Sequence, residues 1–203
     1  MLGIIDLDTG NLGSLYSALK KLNLNFKVCK TSFDLEKIEK IILPGVGAFG
    51  DFMKKMNESE LQIKLQDKIQ SNMPILGLCV GFQVLFSESN EHENTKGLNL
   101  LNGKIKCFKD YLSDIKTPHV GWNECNFSKE NNLFNGIENN SDFYFTHSYA
   151  MVKADKDIII STTKYEIEFI SSVNFKNIYG VQFHPEKSQL NGLKLLKNFN
   201  ENC

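Results

Sequence analysis

The chain has no arginine. All 23 of its basic side chains are lysine. A planar guanidinium fork that grips a carboxylate or phosphate with two parallel hydrogen bonds is therefore excluded. Cysteine is scarce and unpatterned: Cys29, Cys79, Cys107, Cys125 and Cys203 are odd in number, scattered, and form no C-x-x-C pair. That argues against a disulfide framework or a zinc site and sets a reducing compartment as the expectation. No metal and no cofactor are expected. The opening "MLGIIDLDTG" lacks the basic stretch and long apolar run of a secretory signal. No apolar run approaches the length that spans a bilayer. A cytoplasmic protein is expected. With 23 basic and 24 acidic residues the net charge is −1, which provides no field to draw in nucleic acid or an anionic membrane, so neither is expected as a partner.

What is present fits one α/β domain spanning residues 1–203. Residues 2–6 form a short apolar run that reads as a buried strand. Leu12, Leu15, Leu19 and Leu22 follow with helical spacing. Further strands are expected at 26–29, 41–43 and 74–78, a polar-faced helix at 61–69, and a helix from about 80 to 86. Strands alternating with helices predict a parallel sheet covered on both faces. The second half is strand-rich: "GKIKCF", "FYFTHSYAMV", "DIIISTT" and "EFISSVNF" read as antiparallel additions to that sheet. "NIYGVQFHP" is a last strand, stopped by Pro185. Residues 188–199 form a closing helix with Leu190, Leu193, Leu196 and Phe199 on one face. The polar stretch 87–97 reads as an exposed loop.

Three segments carry chemistry. In "GLCVG" (77–81) a buried strand ends and a helix begins around Cys79, with a glycine on either side. That is the arrangement of a nucleophile elbow with a thiol in place of a serine hydroxyl. The free N–H groups of a helix start favour a thiolate. A free thiol near pKa 8.5 is only about 3% thiolate at pH 7. Making the thiolate the major form takes roughly two units, or about 2.7 kcal/mol, so a nearby base or cation is needed as well. A cysteine is ordinarily a small buried hydrophobe, and the other four are read that way. The base is expected in "GVQFHPEKS" (180–188): His184 ends a strand, and Glu186, two residues on, can orient its imidazole. The glycine-rich "LPGVGAF" (43–49) also follows a strand. Its peptide N–H groups would meet the same sheet edge and could stabilise an oxyanion, where one donor is typically worth about 10²–10³ in rate.

"GLCVGFQ", "LPGVGAFG" and "QFHPEKSQ" resemble the class I glutamine amidotransferase family, whose flavodoxin-like α/β fold has a mostly parallel central sheet. "IIDLDTGNLGSL" (4–15), "PHVGWNE" (118–124) and "FYFTHSYA" (143–150) extend the resemblance over essentially the whole chain. Within the family these blocks are most similar to the glutaminase subunits that serve a cyclase partner in histidine biosynthesis. The resemblance implies hydrolysis of glutamine to glutamate and transfer of ammonia to a synthase partner in a heterodimer. It implies Cys79 as nucleophile, His184 as general base and acid, and Glu186 as the orienting carboxylate. The backbone of Val46, Gly47 and Val80 would form the oxyanion site. Gln83, His147, Ser148 and Tyr149 would hold the substrate, and Asn11, Trp122 and Lys187 would lie near the partner. Free ammonia is mostly ammonium in neutral water, so a closed path is favoured, with glutaminase activity low until the partner is loaded.

The chain departs from the family pattern near the expected partner face. Leu7 and Asp8 stand where an aromatic residue and glycine are common, and Gly13 where arginine is. Val80 and Phe82 replace leucine and methionine beside the elbow. Gly13 favours a paralogous subunit feeding surface-sugar synthesis. Two other readings are a stand-alone cysteine hydrolase, which the "PHVGWN" and "HPEKS" blocks oppose, and a catalytically dead binding subunit, which Cys79, His184 and Glu186 oppose.

Overall fold

The computed structural model describes residues 1–8, 10 and 12–203. Its first half runs β1 (Leu2–Ile5), α1 (Gly13–Lys21), β2 (Phe26–Cys29), β3 (Lys40–Gly45), α2 (Phe49–Glu58) and α3 (Leu61–Gln70). Then come β4 (Ile75–Cys79), α4 (Val80–Gln83), β5 (Phe86–Ser89), β6 (Thr95–Lys96) and β7 (Leu101–Cys107). The chain continues through β8 (His119–Phe127), β9 (Ser141–His147), β10 (Tyr149–Ala150), β11 (Ile159–Tyr165), β12 (Ile167–Phe175) and β13 (Ile178–Val181), and closes with α5 (Gln189–Asn202).

Nine strands form one sheet in the order β2-β1-β3-β4-β13-β12-β11-β8-β9. From β2 to β13 neighbouring strands are parallel; from β13 to β9 they are antiparallel. The side-chain pattern explains the division. β1, β4 and β13 are buried at every position, as strands covered on both faces must be. β8 instead turns His119 and Cys125 inward and Val120, Trp122 and Glu124 outward, the period-two alternation of a strand with one wet face. On one face Ile41, Leu43, Ile75 and Cys79 pack with Phe52, Met53 and Leu65 from α2 and α3. On the other, Ile42, Leu76 and Leu78 pack with Leu15 and Leu19 of α1 and Leu195 and Phe199 of α5. Burying each of these large apolar side chains stabilises the fold by about 1.5–3 kcal/mol.

Several expectations need correction. The helix after Cys79 is one turn, Val80–Gln83, not a run to Phe86, so its dipole can add little to the thiolate. Residues 87–97 are not a plain exposed loop. They contribute β5 and β6 to a second sheet, β10-β7-β5-β6, which also takes the "GKIKCF" strand away from the main sheet. Ser89 is fully buried there. "FYFTHSYAMV" breaks at Ser148 into β9 and β10, which belong to different sheets. On α5 the inward residues include Gly192, Leu195, Leu196 and Phe199, whereas Leu190 is 79% exposed. α2 has no counterpart among the helices expected from spacing.

Glycine is needed at the elbow because backbones meet there. A Cβ on Gly81 would sit 1.7 Å from the Leu43 carbonyl oxygen, and one on Gly77 would sit 2.5 Å from the Gly81 oxygen. Neither neighbour can move without displacing a central strand. Gly81→Ala is therefore expected to destabilise by about 2–3 kcal/mol. An unshifted urea midpoint for that variant would show that α4 does not lie against β3.

Candidate active site

Cys79 closes β4 with φ 51° and ψ −108°, a conformation an L-residue adopts only under constraint, at a cost of roughly 1–3 kcal/mol. The constraint comes from the close contact of α4 with β3 on either side of it. The sulfur is nearly buried. It has the Thr146 carbonyl at 3.9 Å and the Gln182 Nε2 at 3.8 Å.

β13 pairs with β4, with Val181 opposite Leu78, so the residues after β13 emerge beside the elbow. His184 stands there, buried, with its Nδ1 2.7 Å from Glu186 Oε1. Its Nε2 and Glu186 Oε2 are buried without a hydrogen-bond partner among the described residues. The turn is held by its backbone: His184 N–H donates to the Tyr144 carbonyl at 2.9 Å, and the Ser188 hydroxyl donates to the His184 carbonyl at 2.6 Å. Ser188 Oγ also accepts from Tyr144 N–H at 3.0 Å. Burial by itself pushes the imidazole down. The negative charges of a Cys79 thiolate and of Glu186 outweigh burial and hold His184 up, at about 10. The site thus favours an imidazolium at His184.

The glycine-rich loop reaches the same point. Gly45 pairs with Cys79 across β3 and β4, and a Cβ on it would meet Gly81 N at 2.7 Å and Val80 Cβ at 2.9 Å. Gly47 has φ 105°, a value suited to glycine. The Val46 side chain is packed so close to Gly10 that a Cβ there would lie 1.8 Å from its Cγ2. Beyond the loop, Phe49 N–H donates to Glu91 Oε2 at 2.7 Å, so an acid from the β5–β6 connection caps the start of α2.

The four residues expected to hold substrate form a connected group. Gln83 is buried, and its amide NH₂ donates to the Tyr149 carbonyl at 2.9 Å and to Gln182 Oε1 at 3.0 Å. His147 Nδ1 lies 2.8 Å from the same Tyr149 carbonyl. A carbonyl only accepts, so this nitrogen carries the proton and the His147 Nε2 of a neutral ring must accept. It faces His119 Nδ1 at 3.2 Å, which therefore donates, and His119 Nε2 accepts from Asn123 Nδ2 at 3.3 Å. Burial pushes His119 down to about 4 and His147 down to about 3. Both rings are neutral at pH 7. Ser148 lies in the break between them and Tyr149, its carbonyl accepting from Phe108 N–H at 3.0 Å.

The family model for glutamine amidotransferase class-I matches residues 3–203. The chain is a class I glutamine amidotransferase. It is 45% identical over 199 residues to the imidazole glycerol phosphate synthase subunit HisH of Pyrococcus furiosus, with 98% of this chain and 97% of the relative covered. It is also 45% identical over 202 residues to the protein of that name from Leptospira borgpetersenii, covering 98% of each. Among solved structures, a glutamine amidotransferase superposes with a TM-score of 0.76 at 16% identity over 98% of this chain and 97% of that one. The structure of PurLQS from Thermotoga maritima superposes at 0.75 and 18% identity over 98% and 96%. At those identities the likeness is one of fold.

In this amidotransferase two of the residues expected at a partner face share one surface. Trp122 is 46% exposed and meets the Tyr144 ring edge-on, with centroids 6.0 Å apart. Lys187 Nζ lies 5.6 Å from the centre of the same ring. Asn11 lies outside the described residues. Sequence reasoning passed over Gln182, Ser188, Tyr144, His119 and Glu91. Gln182 had a usable signal, since it stands two residues before His184 and so shares its face of an extended segment. Glu91 had none: its partner Phe49 is 42 residues away.

Proposed function

We propose that this amidotransferase is the glutaminase subunit of an imidazole glycerol phosphate synthase. It hydrolyses glutamine and passes ammonia to a cyclase subunit, with which it forms a cytoplasmic heterodimer serving histidine biosynthesis. The observation that carries the reading is the convergence of Cys79, His184 and Glu186 at one sheet edge, with His184 Nε2 left without a hydrogen bond among the described residues. The names of the relatives support the histidine pathway over sugar synthesis.

The chemistry follows from the groups present. The Cys79 thiolate attacks the carboxamide carbon, and the N–H groups of Gly47 and Val80 in the Val46–Val80 corner receive the charge on oxygen. His184 gives its Nε2 proton to the leaving nitrogen, the C–N bond breaks, and ammonia departs from a thioester. A water then attacks the thioester and loses a proton to His184, and glutamate leaves with the thiolate restored. Glu186 orients the ring throughout. Gln83, His147, Ser148 and Tyr149 hold the amino-acid end of glutamine. Asn11, Trp122 and Lys187 belong to the partner face, and residues 1–203 act as one domain.

The test is glutamine hydrolysis by the chain alone and with a cyclase subunit. The expected result is slow turnover alone and a large rise on mixing; full activity without a partner overturns the reading. Lys187→Ala should cut the partner's activation about tenfold while leaving the melting temperature within a few degrees, as for a rim charge. Undiminished activation would remove Lys187 from the interface.

A further inference from the structure

Gln182 has no part in the triad, yet it is one of the most enclosed polar side chains in the protein, with no exposed surface. A buried amide must have partners for both ends, and the partners here are informative. Its Oε1 accepts from Gln83 Nε2 at 3.0 Å. Gln83 spends its other amide proton on the Tyr149 carbonyl, which also takes the His147 proton. The direction of every bond in this series is set from the Tyr149 carbonyl, which can only accept. Gln83 must therefore present NH₂ to Gln182, and Gln182 must present its own NH₂ to the remaining neighbour. That neighbour is the Cys79 sulfur, 3.8 Å away.

We propose that Gln182 is a thiolate-holding residue: its Nε2–H, locked in orientation by Gln83 and Tyr149, donates to the Cys79 sulfur and keeps it charged and aimed. The other polar groups about the sulfur do not substitute for it. The Thr146 carbonyl at 3.9 Å can only accept and so favours the thiol. His147, from β9, is neutral. His184, from the turn after β13, brings the opposite charge, but the Glu186 carboxylate bonded to its ring offsets it. α4 is a single turn. An amide donor keeps its proton at every pH, so its hold on the sulfur does not change when His184 gains or loses a proton. The inference rests on Cys79 as the nucleophile, but its readouts use neither glutamine nor a partner, so it can fail while the proposed function stands.

The experiment is alkylation of Cys79 by iodoacetamide as a function of pH, in the full chain and in Gln182→Met, which keeps the length and removes the donor. A hydrogen bond to a charged group predicts that the pH profile moves up by about one unit and the rate at pH 7 falls roughly tenfold. Gln83→Met, which frees the Gln182 amide without touching the sulfur, should shift the profile in the same direction by less. In the unaltered protein the Gln182 side-chain NH₂ resonances, assigned with the Gln182→Met variant or by sequential methods, should move as the sulfur is titrated. They should move again when it is capped with methyl methanethiosulfonate. A Gln182→Met profile superimposed on the parent's overturns the proposal. So do Gln182 resonances that stay still through titration and capping, a result that decides the matter even if the variant does not fold.

Discussion

Cys79→Ala is expected to abolish glutamine hydrolysis, by a factor on the order of 10⁴ or more, while the partner's use of added ammonium salts at high pH is unchanged. The size follows from the role: with no sulfur there is no thioester, and what remains is binding and oxyanion stabilisation. The variant isolates chemistry from folding. Alanine keeps a Cβ at φ 51°, so the strain at the elbow persists, and the contacts of Gly77 and Gly81 are untouched. Its melting temperature should therefore lie within a few degrees of the parent's. Glutamine turnover that survives the substitution would remove Cys79 as nucleophile. Loss of ammonia-dependent synthesis as well would mean that the elbow serves docking rather than hydrolysis.

The second large effect is acid destabilisation set by two histidines. Burial holds His119 at about 4 and His147 at about 3, against about 6.5 in an unfolded chain. Both pKa values are depressed in the fold. Each group's contribution is therefore fully present above pH 6.5, and is lost as pH falls through 6.5 toward 4 and 3, because the unfolded chain takes up protons that the fold refuses. His184 runs the other way: raised to about 10, it contributes fully below pH 6.5 and loses its contribution as pH rises through 10. It is thus constant below pH 6.5 and about 1 kcal/mol smaller at pH 7. Each buried neutral ring costs about 1.4 kcal/mol per pH unit below 6.5. Between pH 7 and pH 5 the unfolding free energy should fall by about 3 kcal/mol once the small opposing gain from His184 is included, a large share of a typical domain's stability. Urea unfolding at the two pH values measures it. The double variant His119→Gln, His147→Asn should flatten the dependence. A parent protein equally stable at both values would mean that at least one ring is charged in the fold, and with it the hydrogen-bond direction from Asn123 to Tyr149 would be lost.

Legibility divided along local and non-local lines. The parallel half was readable because strands buried on both faces are continuous apolar runs, as in β1 and β4, and because Pro74 marks the start of β4; the last strand, expected to run through His184 to Pro185, ends at Val181. The same rule failed at β5 and β6, whose polar residues gain their place only by pairing with β7 and each other. It failed at Leu190 because helical spacing places residues on a face without saying which neighbour covers it. α5 meets the turn after His184 through Gly192, which lies so close to the Pro185 carbonyl that a Cβ would be 1.8 Å from its oxygen. Leu190 is left on the outside.

The one-dimensional chain determined its proposed reactive groups: a cysteine between two glycines at a strand end, a histidine with an acid two residues on, and a loop of peptide N–H groups after a third strand. Covalent neighbours and turn chemistry suffice for each, since all three are local. Only the tertiary structure decided what surrounds the sulfur. Gln182 arrives from the residue after β13 and Thr146 from β9, through sheet pairings that span most of the chain. Such contacts leave no local trace, because hydrogen-bond partners are selected by proximity in the folded state and not by spacing along the polymer.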